Sequence, residues 1–260
     1  RHAVRALAAA IQHDVAAGLT RGLTRGLAAK VLQSEALLVR AVPYGESDIV
    51  ATFMCADGGK VAAMARSARK SSKRFGGALE PFHTIAVTLQ DRGRELTVLT
   101  EARIVRVRTG IATKLESVDA AGSALRWTRD LCPPRTEEQG AWAALIDLLD
   151  ALDHGKNEPK IALAFFAMRL LSEVGYALEL DRCLVCGKPC PADKPARIDP
   201  ARGGIVCLSC GGARLQIGAR LRQAARDMQR GVRVEISTEE ATDILKLAEL
   251  AMAAHADVGA

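Results

Sequence analysis

Between residues 34 and 107 the apolar positions fall into short runs separated by turn residues. ALLVRAV (36–42) precedes Pro43, Tyr44 and Gly45, DIVATFMC (48–55) precedes Asp57, Gly58 and Gly59, and KVAAMAR covers 60–66. In HTIAVTLQ (83–90), Ile85, Val87 and Leu89 alternate with polar or small residues; after a DRGR turn, ELTVLTEARIVRV runs from 95 to 107. A period of two bounded by Gly, Pro and Asp predicts strands. Five in succession fit a small closed barrel, of which the oligonucleotide-binding (OB) fold is one kind; strand number alone leaves other small barrels open.

After Gly110 the period becomes that of helices. Leu115, Val118, Gly122 and Leu125 define one face, and Pro133-Pro134 ends that helix after Cys132. Thr136 and Gln139 have the spacing of a capping box for a second helix carrying Trp142, Leu145, Ile146, Leu149 and Leu152, with Gly155 past its end. A third opens near Pro159 and carries Ile161, Phe165, Met168 and Leu171 before Gly175. Two more are predicted, one around Leu221 to Met228 and one capped by Ser237 with Glu240 three residues on.

The first 32 residues have a different character. They contain GLTRGLTRGL (18–27), where a glycine every four residues lowers helix stability by about 1 kcal/mol each. The expected organisation is therefore α+β: a basic, poorly ordered extension over 1–32, a five-stranded OB-fold barrel for nucleic acid over 33–109, and a mainly α-helical domain over 110–260 with a four-cysteine zinc-binding insertion at 183–210.

Composition narrows the function classes. Hydrophobic residues make up 49% and aromatics only 3%, so the core is expected to be aliphatic. No apolar run approaches the roughly 18 residues of a spanning helix, which argues against a membrane role. The net charge is +6, and its placement matters more than its size. Lys60, Arg66, Arg69, Lys70, Lys73 and Arg74 fall within residues 60–79 with no acid among them, so the rest of the chain is neutral in sum. A solvated loop without a partner would carry some acids. A positive loop between two strands of a barrel, with Ser67, Ser71 and Ser72 keeping it soluble, can follow a phosphate backbone without reading its sequence. Phe75 at its end is expected to pack on the barrel.

Seven cysteines, with no convincing secretory signal, point to a reducing cytoplasm. Cys183, Cys186, Cys207 and Cys210 form C-x₂-C-x₂₀-C-x₂-C, the spacing of a four-thiolate zinc site. Gly187 and Gly211 follow the two pairs and allow the backbone to turn its amides toward the thiolates. Four protein thiolates leave zinc no open position, so one structural Zn²⁺ is expected. Cys190 is close enough in sequence to replace a ligand, whereas Cys55 and Cys132 read as buried small hydrophobes. No phosphate-binding loop, dinucleotide fingerprint, H-E-x-x-H or G-x-S-x-G is present, and the five histidines are scattered. Nothing assembles a nucleophile with a base, so no enzyme is expected.

YGESD (44–48), Gly59-Lys60, RFGGALEPF (74–82), LTEARIV (99–105), GYALELDRCLVCG (175–187) and DPARGGIVCLSC (199–210) together resemble the bacterial RecO family of DNA repair proteins, over about Ser34 to Gly212. The resemblance implies a recombination mediator. It binds single- and double-stranded DNA, anneals complementary strands, contacts the single-strand DNA-binding protein and works with RecR to load RecA at gaps in the RecFOR pathway. It implies DNA contacts at Arg66, Arg69, Lys70, Lys73 and Arg74, with Arg40 a weaker addition, and zinc ligands at Cys183, Cys186, Cys207 and Cys210. The chain departs from the family at both ends: residues 1–32 precede the usual start, and AHADVGA replaces a basic tail. A zinc-ribbon adaptor with a structural barrel is the competing reading; it leaves the acid-free loop unexplained. A metal-dependent nuclease would need an open zinc position or a carboxylate cluster.

Overall fold

The computed structural model describes residues 30–70, 75, 77–91, 93 and 96–256. Five strands come first: β1 (Lys30–Tyr44), β2 (Asp48–Cys55), β3 (Gly59–Ala65), β4 (Thr84–Asp91) and β5 (Thr97–Arg106). They hydrogen-bond in the order β1-β2-β3-β5-β4, and β4 pairs with β1, so the sheet closes on itself. All neighbours are antiparallel except β3 and β5. Because β1 begins at Lys30, residues 30–32 of the segment read as an extension are strand; the remainder of that segment lies outside the described residues.

Alternation gives each strand an inner and an outer face. Ala36, Leu38, Phe53, Val61, Ala63, Ile85, Val87, Leu89 and Leu99 fill the interior, joined by Phe75 and Ala78 from the β3–β4 connection. Phe75 is 3% exposed, as its core role required. On β1 the alternation serves two cores at once: Leu37 and Val39, with Met54 of β2, belong to the helical cluster.

The helices are α1 (Leu115–Leu131), α2 (Gln139–His154), α3 (Pro159–Glu173), α4 (Ala219–Gln229) and α5 (Thr238–Ala256). α1 packs on β1 and β2, while α3 is central, contacting α1, α2, α4 and α5. Its buried residues Leu163, Ala164, Phe166, Met168, Leu170 and Leu171 run around most of its surface, the pattern of an interior helix. Phe165 and Ile161, expected in the core, are half-buried.

The face predicted for α1 is displaced. Leu115 is 72% exposed, and the buried positions are Ser117, Ala120, Ala121, Ala124, Leu125, Trp127, Thr128 and Leu131. Alanines let a helix approach its neighbour closely but give little hydrophobic signal, so Leu115 drew the face away from them. The capping box expected at Thr136 does not form either, since α2 starts at Gln139 without a side-chain cap. Pro134 is bridged to Lys60 of β3, and Arg135 N–H donates to the Lys60 carbonyl at 2.9 Å, which commits this segment to the barrel. By contrast the α5 box forms in both directions. Glu240 N–H donates to Ser237 Oγ at 3.1 Å, and Ser237 N–H to Glu240 Oε2 at 2.9 Å.

A buried arginine fastens the two halves. Arg108 is 1% exposed; its Nε donates to Asp150 Oδ1 of α2 at 2.7 Å, and its Nη1 donates to the Phe82 carbonyl and Thr84 Oγ1, both at 2.9 Å. Arg106 reaches the other oxygen of Asp150 at 2.6 Å. Among the described residues no helix is long and apolar enough to cross a membrane.

Candidate nucleic-acid interface and metal centre

The basic segment leaves β3 at its end and is held against the turn that joins β1 to β2. Asp48 Oδ1 accepts the Ser67 backbone N–H at 2.7 Å, the Arg69 N–H donates to the Ser47 carbonyl at 3.0 Å, and Arg69 Nη1 reaches the Glu46 carbonyl at 3.4 Å. Lys70 N–H closes a turn onto the Ser67 carbonyl at 3.1 Å, with Ser67 in the left-handed region at φ 55°. These bonds fix where the loop begins, and they leave the Arg66, Arg69 and Lys70 side chains exposed. Lys73 and Arg74 lie outside the described residues.

Arg40 is exposed on β1, paired with Thr52. The β1–β2 register shifts between Leu38 and Arg40, so Val39 turns outward onto the helices and the next residue, Arg40, faces outward as well. The stretch that is acid-free in sequence is not so in space, because Glu46 and Asp48 stand at the base of the loop. Asp48 in particular carried no assigned role by sequence; only its place in YGESD, four residues beyond a strand-ending proline-tyrosine pair, marked it.

The second constellation lies between α3 and α4. Here a small sheet is formed by β6 (Ala196–Asp199), β7 (Gly204–Ile205) and β8 (Leu215–Ile217), in the order β7-β6-β8. The two C-x₂-C turns sit beside it: Leu184 N–H donates to the Ile205 carbonyl at 2.8 Å, and Val206 N–H to the Arg197 carbonyl at 3.0 Å. Gly187 and Gly211 have φ of 69° and 98°, letting each turn fold back, with Gly187 N–H on the Cys183 carbonyl and Gly211 N–H on the Leu208 carbonyl.

The sulfurs of Cys183, Cys186, Cys207 and Cys210 all lie within 4.8 Å of one another, and Cys186 Sγ is 3.7 Å from Cys207 Sγ. Four thiolates about 2.3 Å from one tetrahedral ion stand about 3.8 Å apart, so the donor set fits such an ion. The electrostatics agree. Backbone N–H groups of Cys207 and then Cys186 pull the Cys183 thiol down to about 6, while hydrogen bonds among the neighbouring sulfurs, Cys207 first, hold Cys210 up to about 12. Crowded sulfurs cannot all ionise without a compensating cation.

Cys190 stands outside this cluster, with its sulfur near the Pro191 carbonyl. Burial pushes the Cys55 and Cys132 thiols up to about 12, as befits small core hydrophobes. Arg222 of α4, 4% exposed, was not visible as a support in the sequence. Its guanidinium donates to the carbonyls of Leu180, Cys190 and Pro191 and ties the cysteine-bearing loop to the helical core.

Comparison with known proteins covers both halves. The family model described as Recombination protein O N terminal matches residues 30–108, and Recombination protein O C terminal matches 115–258. Curated relatives include the DNA repair protein RecO of Anaeromyxobacter sp. (strain Fw109-5), 36% identical over 69% of this chain and 70% of the relative. That of Anaeromyxobacter sp. (strain K) is 38% identical over 67% and 68% of the two chains, and that of Geobacter sulfurreducens 37% identical over 69% and 73%. With both of its halves matched, and the four cysteines and the basic loop inside the matched regions, the chain belongs to the RecO family of DNA repair proteins.

Proposed function

We propose that this chain is a recombination mediator and not an enzyme. In this reading it binds single- and double-stranded DNA, anneals complementary strands and helps RecR load RecA onto gaps coated by single-strand DNA-binding protein, acting in the bacterial cytoplasm at the nucleoid. The closed barrel is read as an OB fold, and its nucleic-acid contacts as Arg66, Arg69, Lys70, Lys73 and Arg74, with Arg40 contributing from β1. Residues 33–109 form the DNA-binding unit and 110–260 the helical domain.

The observation that carries the reading is the docking of Arg66 to Lys70 on the β1–β2 turn, which presents basic side chains to solvent from a fixed base. Phosphates neutralised there release counterions, and an annealing protein needs such backbone contacts without sequence preference. Cys183, Cys186, Cys207 and Cys210 would hold one Zn²⁺, whose contribution when bound is to cross-link the two turns and stabilise the C-terminal half. A strand-annealing assay tests the function. Complementary oligonucleotides coated with single-strand DNA-binding protein should pair faster with the wild type present, and an Arg69→Glu, Lys70→Glu, Lys73→Glu variant should lose that acceleration. Equal annealing by both proteins would assign DNA contact elsewhere.

A further inference from the structure

Aromatic rings are scarce in this chain, and among the described residues a single one is exposed: Tyr44, at 48%. Its position follows from the register. Ala41 pairs with Ala51, an interior residue, and Pro43 with Ile49, which packs against the interior, so the intervening pairs Val42–Val50 and Tyr44–Asp48 face outward. The shift between Leu38 and Arg40 sets this phase. Upstream of it the outer face of β1 is covered by helices at Leu37 and Val39; downstream, Arg40, Val42 and Tyr44 stand exposed at successive outward positions. Tyr44 is also the register partner of Asp48, the residue that pins Ser67 and hence the start of the basic loop. One flat ring is thus set between Arg40 on its own strand and the loop carrying Arg66, Arg69 and Lys70.

We propose that Tyr44 is a base-stacking residue for single-stranded DNA, with the cations on either side holding the flanking phosphates; the proposal rests on the DNA-binding reading given above. An unpaired base offers its π-face to a ring whatever its identity, whereas in a duplex those faces are already stacked on one another. Cations alone bind both forms. The ring therefore gives preference for the single strand.

The test is anisotropy of labelled single-stranded DNA, a duplex of the same sequence and an abasic single strand, with wild type, Tyr44→Ala and Tyr44→Phe. Stacking is worth about 1–3 kcal/mol per base, so Tyr44→Ala should weaken single-strand binding by about 5- to 100-fold. Duplex and abasic binding and the salt slope should stay unchanged, and Tyr44→Phe should retain affinity. Quenching of 2-aminopurine in the single strand by the wild type reads the stack without any variant. Unchanged single-strand binding by Tyr44→Ala, or equal losses on duplex and abasic DNA, would overturn the stacking role while leaving the DNA-binding reading intact. A wild type that binds none of the three probes would overturn both.

Discussion

Asp48 Oδ1 accepts the backbone N–H of Ser67 at 2.7 Å across 19 positions of sequence, and this bond sets where the basic loop begins. A carboxylate at the surface proposed to bind phosphate would be costly by charge alone, so its presence there calls for a structural use. Two opposite outcomes separate the possibilities. If Asp48 positions the loop, Asp48→Ala should lower single-strand DNA affinity by at least about fivefold and at most about 150-fold, the upper bound being the whole of a charge-assisted hydrogen bond of about 1.5–3 kcal/mol. If it only repels phosphate, the same change should raise affinity; equilibrium binding at fixed salt reads the sign.

Arg108 and Asp150 make the corresponding joint between barrel and helices. Arg108→Met removes the Nε donor from Asp150 and the Nη1 donor from Phe82 and Thr84, leaving Asp150 with Arg106. We expect a loss of about 2–4 kcal/mol, less than for a wholly buried pair because Asp150 keeps a partner and some solvent. Urea unfolding in a Tyr176→Phe background, followed separately by tyrosine (Tyr44, on β1) and tryptophan signals, measures it: both Trp residues, Trp127 and Trp142, lie on the helices, so the two probes should part company when Arg108→Met is added. Coincident, unshifted transitions would remove Arg108 from this role.

The four-cysteine cluster, read as a zinc site, predicts a stoichiometry and a dependence. Purified protein should contain one zinc per chain, and Cys186→Ser should abolish retention after dialysis against chelator, whereas Cys190→Ser should not, because only the former sulfur is in the cluster. Loss of the ion should lower the melting temperature by about 10 °C or more, given the large folding contribution of structural zinc. Metal analysis with a parallel thermal melt decides this.

The α5 cap supplies a pH effect. Arg220, and after it the Ser237 N–H, hold the Glu240 carboxyl below its ordinary value. A depressed carboxyl stabilises the fold above the ordinary carboxylate range, and the contribution is lost as pH falls from that range through the lower folded value. Glu240→Gln should therefore be less stable than wild type at neutral pH and lose less on acidification to about pH 3. Ser237→Ala should cost about 1 kcal/mol at neutral pH. Unfolding curves at both pH values check each; identical acid sensitivity of wild type and Glu240→Gln would contradict the assignment.

Local signals proved legible where the chemistry is local. The C-x₂-C spacing identified all four clustered cysteines, and Ser237 with Glu240 announced a cap that forms both of its bonds. The strands were visible because Ile85, Val87 and Leu89 alternate into a core. What escaped depends on partners distant in sequence. Thr136 carried the same cap signal as Ser237, but bonding of its neighbours to Lys60 prevailed. The burial of Arg108 follows from Asp150, 42 positions away, and the buried face of α1 is built largely of alanines, which mark a core face less plainly than leucines do. Tyr44 is a turn-adjacent residue by sequence; only the shifted β1–β2 register places its ring outside the barrel.

The most direct test of DNA binding through the loop is anisotropy of a labelled single-stranded oligomer across a salt series, comparing wild type with the Arg69→Glu, Lys70→Glu, Lys73→Glu variant at equal zinc content and melting temperature. For the wild type, log affinity should fall against log salt with a slope of about −0.7 per neutralised phosphate, and the variant should bind more weakly with a slope shallower by about 2. Equal affinities and equal slopes would contradict the account, for the cations fixed by Asp48 would then not be the ones that meet the phosphates.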